Sequence, residues 1–319
     1  MVLSPAMAGI AAARQVYDAA VDTASDLWHS ALAGEAPRTA DAERVTEQLS
    51  AALVRDAPAL LALTAFPGRD GNGDHTFTHM VNVAVLTLAQ ALAMHIDGPL
   101  LKAFGVAALL HDIGKVKTPP EVLHKPERLT AEEFEIVKRH VVDGAAILRR
   151  TPGMSPLAAV VAFEHHLKLD MTGYPEGVGR RCLNLCTLIV TIADVFDALR
   201  SHRPYRQGLA TSRIRTIMSE QDNPQFHRPL LQRFVAMMGL FPVGSVVRLR
   251  SGELAVVTAE RPEDPLRPEV RIVAGADGVT VDEPTSVRTW EPDRRGRYPR
   301  EIRDAVDPTE MGIDPLAYI

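Results

Sequence analysis

Cysteine is almost missing from this 319-residue chain, with Cys182 and Cys186 as its two thiols. That rules out a disulfide framework and makes a reducing, cytoplasmic setting the expectation. Their four-residue spacing suggests one face of a helix, where both read as small buried hydrophobes. Aromatic residues are scarce at 5%. With Ala, Leu and Val abundant instead, the composition favours a helical protein with a core of small side chains. No apolar run approaches the ~20 residues needed to cross a bilayer, and no charged-then-apolar leader opens the chain, so membrane insertion is not expected. A formal charge of −5 excludes a broad surface for a nucleic-acid polymer. That charge is uneven: residues 1–70 carry 5 basic and 9 acidic groups, residues 115–206 carry 14 and 11. The middle of the chain is therefore the better place for an anionic ligand.

What is present divides into four regions. Residues 1–70 read as helical. Ser4-Pro5 opens a helix to about Ala33, Gly34-Glu35-Ala36-Pro37 breaks it, and a second helix starts near Thr39 or Asp41. Pro58 should kink or end that helix near Asp56-Ala57. This acidic leader suits a sensing arm or a homodimer contact, and equally a helical cap on the next domain. Residues 67–73 form a turn-rich link. Residues 74–240 are mostly helical. Thr130 and Glu133 make a capping box for a helix to about Arg150, with His140 in its middle. Arg181 to Leu199 makes another helix carrying Asp194, and Lys168 to Arg180 reads as a loop. Residues 242–290 change character, with short strands at Ser245–Leu249, Leu254–Thr258 and Val270–Val273 that suggest a small β module, a partly open barrel. Residues 291–319, rich in Pro, Asp and Arg, should wrap the surface. The fold class is mainly α: a helical bundle with an N-terminal helical region and a small C-terminal β module.

The most informative segment is Leu109-Leu110-His111-Asp112-Ile113-Gly114-Lys115. His111-Asp112 offers one nitrogen and one bridging oxygen at the end of an apolar helix. Gly114 should end that helix in a left-handed conformation and leave Lys115 free to turn into the same cavity. His79 precedes the pair, and His140, His165-His166 and Asp194 follow it. Any one of these histidines alone is as readily a core or surface residue. The ordered set supplies five imidazoles and two carboxylates, which suit iron, manganese or zinc better than magnesium or calcium. Such ions lower the pKa of a bound water and clamp an attacked phosphate, so the set points to a metal-dependent phosphohydrolase. A ferritin-like di-iron bundle would need two Glu-x-x-His motifs, and Glu121 to His124 is a single one in an expected loop.

Taken in order, these motifs resemble the HD-GYP branch of the HD phosphohydrolase superfamily, whose known activity is hydrolysis of cyclic di-GMP. The matching segments are Asp74-His75-Thr76-Phe77-Thr78-His79-Met80-Val81-Asn82-Val83, His111-Asp112-Ile113-Gly114-Lys115, Lys125-Pro126 through Leu129-Thr130 to His140, His165-His166, Gly173-Tyr174-Pro175, Asp194 to Leu199, and Arg203-Pro204-Tyr205-Arg206. They cover about residues 74–240. The resemblance implies that His79, His111, Asp112 and Asp194 hold one ion, and that Asp112, bridging, holds a second with His140, His165 and His166. Two divalent ions, iron or manganese, would be the cofactors, and a cyclic dinucleotide the substrate, with either pGpG or GMP as the end product. Lys115 would meet the phosphate or assist the leaving oxygen, Arg203 and Arg206 would grip phosphates with their guanidinium forks, and Tyr174 would shape the nucleotide pocket. His75, one helical turn before His79, would either extend the centre to three ions or stand outside it. Two departures from the family pattern, Leu167 after the paired histidines and Met171 before the GYP triplet, leave room for a slow, receptor-like variant.

Overall fold

The computed structural model describes residues 5–65, 75–201, 209, 211–220, 224–239, 241–261, 263–264, 266–293, 296–306, 308 and 311–319. Two long helices come first, α1 (Pro5–Leu32) and α2 (Thr39–Thr64). The chain kinks within α2 at Asp56, where the backbone leaves helical geometry two residues before Pro58. The Asp56 carboxylate accepts from the Ala59 amide (3.1 Å) and so caps the second half of the helix. The expected kink is thus present. The expected link at 67–73 lies outside the described residues.

The centre of the molecule is α3 (His75–Ala93), surrounded by α1, α2, α4 (Gly98–Leu109) and α9 (Leu185–Arg200). Residues Met80 to Ala91 of α3 are buried on every side, and that explains its apolar composition. By length and composition this helix is apolar enough to cross a membrane, contrary to the sequence expectation, but it is mostly buried inside the fold. The apolar stripe of α1, Tyr17, Ala20, Ala24, Leu27 and Trp28, joins this same core.

After α4 a 3-10 turn (Ile113–Lys117) leads to α5 (Pro120–Leu123), α6 (Ala131–Lys138), α7 (His140–Arg150) and α8 (Pro156–Glu164); α10 (Thr211–Met218) and α11 (Arg228–Met238) complete the helical part. The Thr130–Glu133 capping box is present. The helix it opens does not run on to Arg150: α6 ends at Lys138, and His140 begins α7 instead of lying mid-helix. Gly114 also departs from expectation. It has no left-handed conformation and sits inside the 3-10 turn. Its small size serves contact, because a Cβ there would lie 2.0 Å from the His140 carbonyl oxygen and 2.4 Å from the Gly144 amide. The turn and α7 can approach this closely because glycine meets glycine. Nor does a helix begin at Arg181. Asn184 caps α9 by accepting from the Thr187 amide (2.9 Å), and this leaves Cys182 exposed in the preceding loop while Cys186 is buried. The two thiols therefore do not share a helix face.

Five antiparallel strands follow, β1 (Val246–Leu249), β2 (Leu254–Ala259), β3 (Glu269–Ala274), β4 (Thr280–Arg288) and β5 (Ile302–Ala305), in the order β4-β3-β2-β1-β5. Period-two alternation sorts the side chains onto two faces. Val246, Leu254, Val256 and Val273 pack with Ala62 of α2 and with Ile313 and Ile319 of the tail. Val247, Leu249, Ala255, Val257, Val270, Ile272 and Val287 form the other cluster with Phe241 and Ile302. The tail does more than wrap the surface, since β5 pairs with β1 and the terminal Ile319 is buried.

Candidate metal centre

Five elements deliver the centre. His79 comes from α3, His111 and Asp112 from the end of α4, His140 from the start of α7, His165 and His166 from the end of α8, and Asp194 from α9. Three of the histidines sit where a helix runs out of partners for its last carbonyls. His111 Nδ1 donates to Ala108 O (2.7 Å), His140 Nδ1 to Val137 O (2.7 Å), and His165 Nδ1 to Ala162 O (3.0 Å). His79 Nδ1 donates to the Asp197 carboxylate (2.7 Å). Each ring is therefore anchored through its Nδ1 proton and turns Nε2 inward.

Those inward atoms form two groups. Asp112, His140, His165 and His166 bring ligand atoms within 4.8 Å of one another, and so do His79, His111 and Asp194. The Asp112 carboxylate lies between them. Its Oδ1 is 3.2 Å from His140 Nε2 and 3.6 Å from His165 Nε2, while its Oδ2 is 3.5 Å from His111 Nε2 and 3.7 Å from His79 Nε2. Asp194 Oδ1 stands 3.2 Å from His79 Nε2.

These residues fit divalent ions on a test internal to the structure. His140 Nε2 and His165 Nε2 face each other at 3.3 Å, yet both rings hold their protons on Nδ1, so neither nitrogen has a hydrogen to give. His111 Nε2 and Asp112 Oδ1 are buried without a hydrogen-bond partner. Lone pairs that converge in a buried space are costly unless a cation takes them.

The electrostatics agree. Burial alone would raise the Asp112 carboxyl, but Lys115 and then the His111 and His140 imidazoles outweigh it and hold it well below the usual carboxylate range. Asp194 is likewise held low, by His79 and His111 against the effect of burial. Burial pushes His165 down to about 4 and keeps it neutral; His166 is pushed down by burial and by His165. Burial opposes charge on His79 as well, but hydrogen bonds to Asp194 and Asp197 raise it to about 10.

Around this centre, the Lys115 ammonium hydrogen-bonds Asp112 Oδ2. Tyr174 stands over His166 with ring centroids 4.4 Å apart, and Phe134 of α6 meets its edge at 6.1 Å. The loop is pinned by Gly173, whose φ of +96° and 2.2 Å approach of a would-be Cβ to the His166 carbonyl oxygen leave room for no side chain. Leu167 is buried and pairs its backbone with Gly173, so this departure from the family pattern lies in the loop's packing. His75 is exposed and belongs to neither ligand group. Arg203 and Arg206 lie outside the described residues.

Sequence reasoning missed the residues that hold the ligands in place. Asp197 orients His79. Glu164, buried beside His165, accepts from Arg181 (3.1 Å), Asn184 (3.0 Å) and Thr187 (3.0 Å) and so ties the end of α8 to the start of α9. For Asp197 a signal existed: it stands three residues after Asp194 on one helix. For Glu164 none did, since its partners are 17 to 23 residues away.

A mainly helical bundle whose helix ends converge on two groups of histidines about one shared aspartate is a protein of the His/Asp metal-centre class. The chain belongs to the HD domain family, whose profile matches residues 50–228, and a KOW domain associated with the HD domain matches 246–287. It is 36% identical over 250 residues to the cyclic di-GMP phosphodiesterase PA4108 of Pseudomonas aeruginosa, covering 78% of this chain and 59% of the relative. It is 37% identical over 154 residues to the 3'3'-cGAMP-specific phosphodiesterase 1 of Vibrio cholerae, covering 48% of this chain and 35% of the relative. The chain thus spans less than two thirds of the length of these relatives. Among solved structures, Bd1817, an HDGYP protein of Bdellovibrio bacteriovorus, shares the fold at a TM-score of 0.57 and 18% identity over 70% of each chain.

Proposed function

We propose that this protein is a metal-dependent phosphodiesterase that opens cyclic di-GMP to pGpG and hydrolyses it on to GMP. The observation that carries the reading is the Asp112 carboxylate, whose two oxygens face two separate sets of inward-turned imidazoles. His79, His111 and Asp194 would hold one ion with Asp112 Oδ2, and His140, His165 and His166 a second with Oδ1. Imidazole and carboxylate together suit iron or manganese. Bound ions of this kind supply Lewis acidity at phosphorus and make the attacking water easier to deprotonate. The protein's own groups do the rest. Lys115, already on the Asp112 carboxylate, meets the phosphate charge and can protonate the leaving oxygen. Tyr174 and Phe134 give an aromatic wall beside His166 on which a guanine can stack. Arg203 and Arg206 grip the remaining phosphate. His75, exposed and outside both groups, is not needed, and two ions suffice.

The relative matched over most of this chain is named for cyclic di-GMP, and this favours that substrate over 3'3'-cGAMP. The test is to load the protein anaerobically with Fe(II) or Mn(II) and follow cyclic di-GMP by chromatography beside Asp112→Ala. Metal-dependent pGpG and then GMP, absent from the variant, are expected. Intact substrate in a fully loaded protein would overturn the enzyme reading and leave a cyclic dinucleotide receptor.

A further inference from the structure

One hydrogen-bonded path leaves the centre and ends on the N-terminal helix. His79 Nδ1 donates to Asp197 Oδ2 (2.7 Å), Asn82 Nδ2 donates to Asp197 Oδ1 (2.9 Å), and the Tyr17 hydroxyl donates to Asn82 Oδ1 (2.6 Å). The side chains of Tyr17, Asn82 and Asp197 are all buried. Around them, Arg200 Nη2 donates to Thr64 O (2.6 Å) and to Asp197 Oδ1 (3.2 Å), and Asn82 Nδ2 reaches the same Thr64 carbonyl at 3.3 Å.

The polarity of this path admits one arrangement. Asn82 faces two acceptors, Asp197 and the Thr64 carbonyl, so its amide hydrogens must point there and its oxygen toward Tyr17. Tyr17 is a donor at that position. Without the hydroxyl, Asn82 Oδ1 loses this donor in a buried site, and a flipped amide would turn its oxygen onto a carboxylate. Either change disturbs Asp197, the acceptor that sets the tautomer and direction of His79. A second contact lies on the other side of His79 in sequence: Trp28 packs edge-on against Phe77, with ring centroids 6.0 Å apart. Contacts from α1 thus bracket His79 on α3.

We propose that Tyr17 is a positioning residue for His79, acting through Asn82 and Asp197, so that the seating of α1 on α3 sets how tightly the His79–His111–Asp194 group holds its ion. This rests on the two-ion reading above. It makes the N-terminal helix an input to the centre, since any partner or segment that shifts α1 changes occupancy at one of the two positions. The second group, His140, His165 and His166, is held by backbone carbonyls of α6 and α8 and by Tyr174.

The experiment is a titration of the metal-free full chain with Mn(II) by calorimetry and electron paramagnetic resonance, for the native protein, Tyr17→Phe, Asn82→Ala and the double variant. Thermal melting is recorded beside each. Tyr17→Phe keeps the ring in the core and should melt near the native protein. It is expected to weaken one Mn(II) site by about 5- to 10-fold, less than the 10- to 100-fold that loss of the outer-shell Asp197 itself would cause, and to leave the other within about twofold. Asn82→Ala should weaken the same site, and the double variant should be no worse than Asn82→Ala, since both interrupt one path. Native affinity at both sites in Tyr17→Phe would overturn the proposal. Equal weakening of both sites with a lowered melting temperature would overturn it too, because that is loss of packing. A native protein that binds no Mn(II) would sink it together with the two-ion reading.

Discussion

At the scale of single residues, the centre depends on where each imidazole keeps its proton. Four rings are fixed through Nδ1 by a helix-end carbonyl or by Asp197, and this leaves Asp112 as the one group both ligand sets share. Asp112→Asn keeps the shape but removes the charge and one acceptor oxygen. Both ions should then bind more weakly, by more than about 100-fold, with hydrolysis falling in parallel; metal content after gel filtration checks the first and chromatography the second. A variant retaining one ion at native affinity would show that the carboxylate serves a single site. The His and Asp cluster was legible in the sequence because these are residues whose chemistry announces itself when they recur together. Tyr17 and Glu164 were not singled out, and Asn82 and Asp197 fell within matching segments without a role of their own. Their work is to hydrogen-bond partners as far as 118 residues away, and a linear pattern does not carry such distances.

Among the elements, the helical character of 1–70 and 74–240 was legible and the bounds of the individual helices were not. The Pro58 kink and the Thr130 cap are local chemistry, written within a few residues. The break between α6 and α7 and the late start of α9 answer to tertiary demands. His140 must face Asp112 across a turn that packs glycine on glycine, and Arg181 is drawn away to Glu164. The GYP loop obeys the same logic. Gly173→Ala puts a Cβ into the His166 carbonyl at a positive φ, so the loop must move and take Tyr174 with it. Weaker substrate binding is expected, with KM rising about tenfold or more, along with loss of the ion held by His140, His165 and His166 ahead of the other. Unchanged KM and metal content would mean that the loop adapts without cost to the centre.

Across the whole molecule, the buried histidines make the stability of the metal-free protein depend on pH from two sides. The folded-state pKa of His165 is depressed to about 4. Below about pH 6.5 the unfolded chain takes a proton that the folded one refuses, so stability falls on the order of 3 kcal/mol as pH drops from 6.5 to 4. His79 is raised to about 10. Its contribution is complete below pH 6.5 and is lost as pH climbs to 10. Chelator-treated protein should therefore melt highest near pH 6.5, as a series of thermal scans will test. An ion bound at His79 must displace that proton, so Mn(II) affinity should rise with pH over the same upper range, with proton release measurable in weak buffer. Flat melting curves from pH 5 to 9 would contradict both.

The candidate ligands come from five elements separated by as many as 115 residues, and their nitrogens and oxygens converge whether or not an ion is there to receive them. An ion that binds this arrangement and not the open chain stabilises the whole fold by mass action. Copies made during metal shortage would open more often and meet proteases more often. The nutritional state of the cell would then be written into the protein's lifetime as well as its turnover, with no separate sensor required.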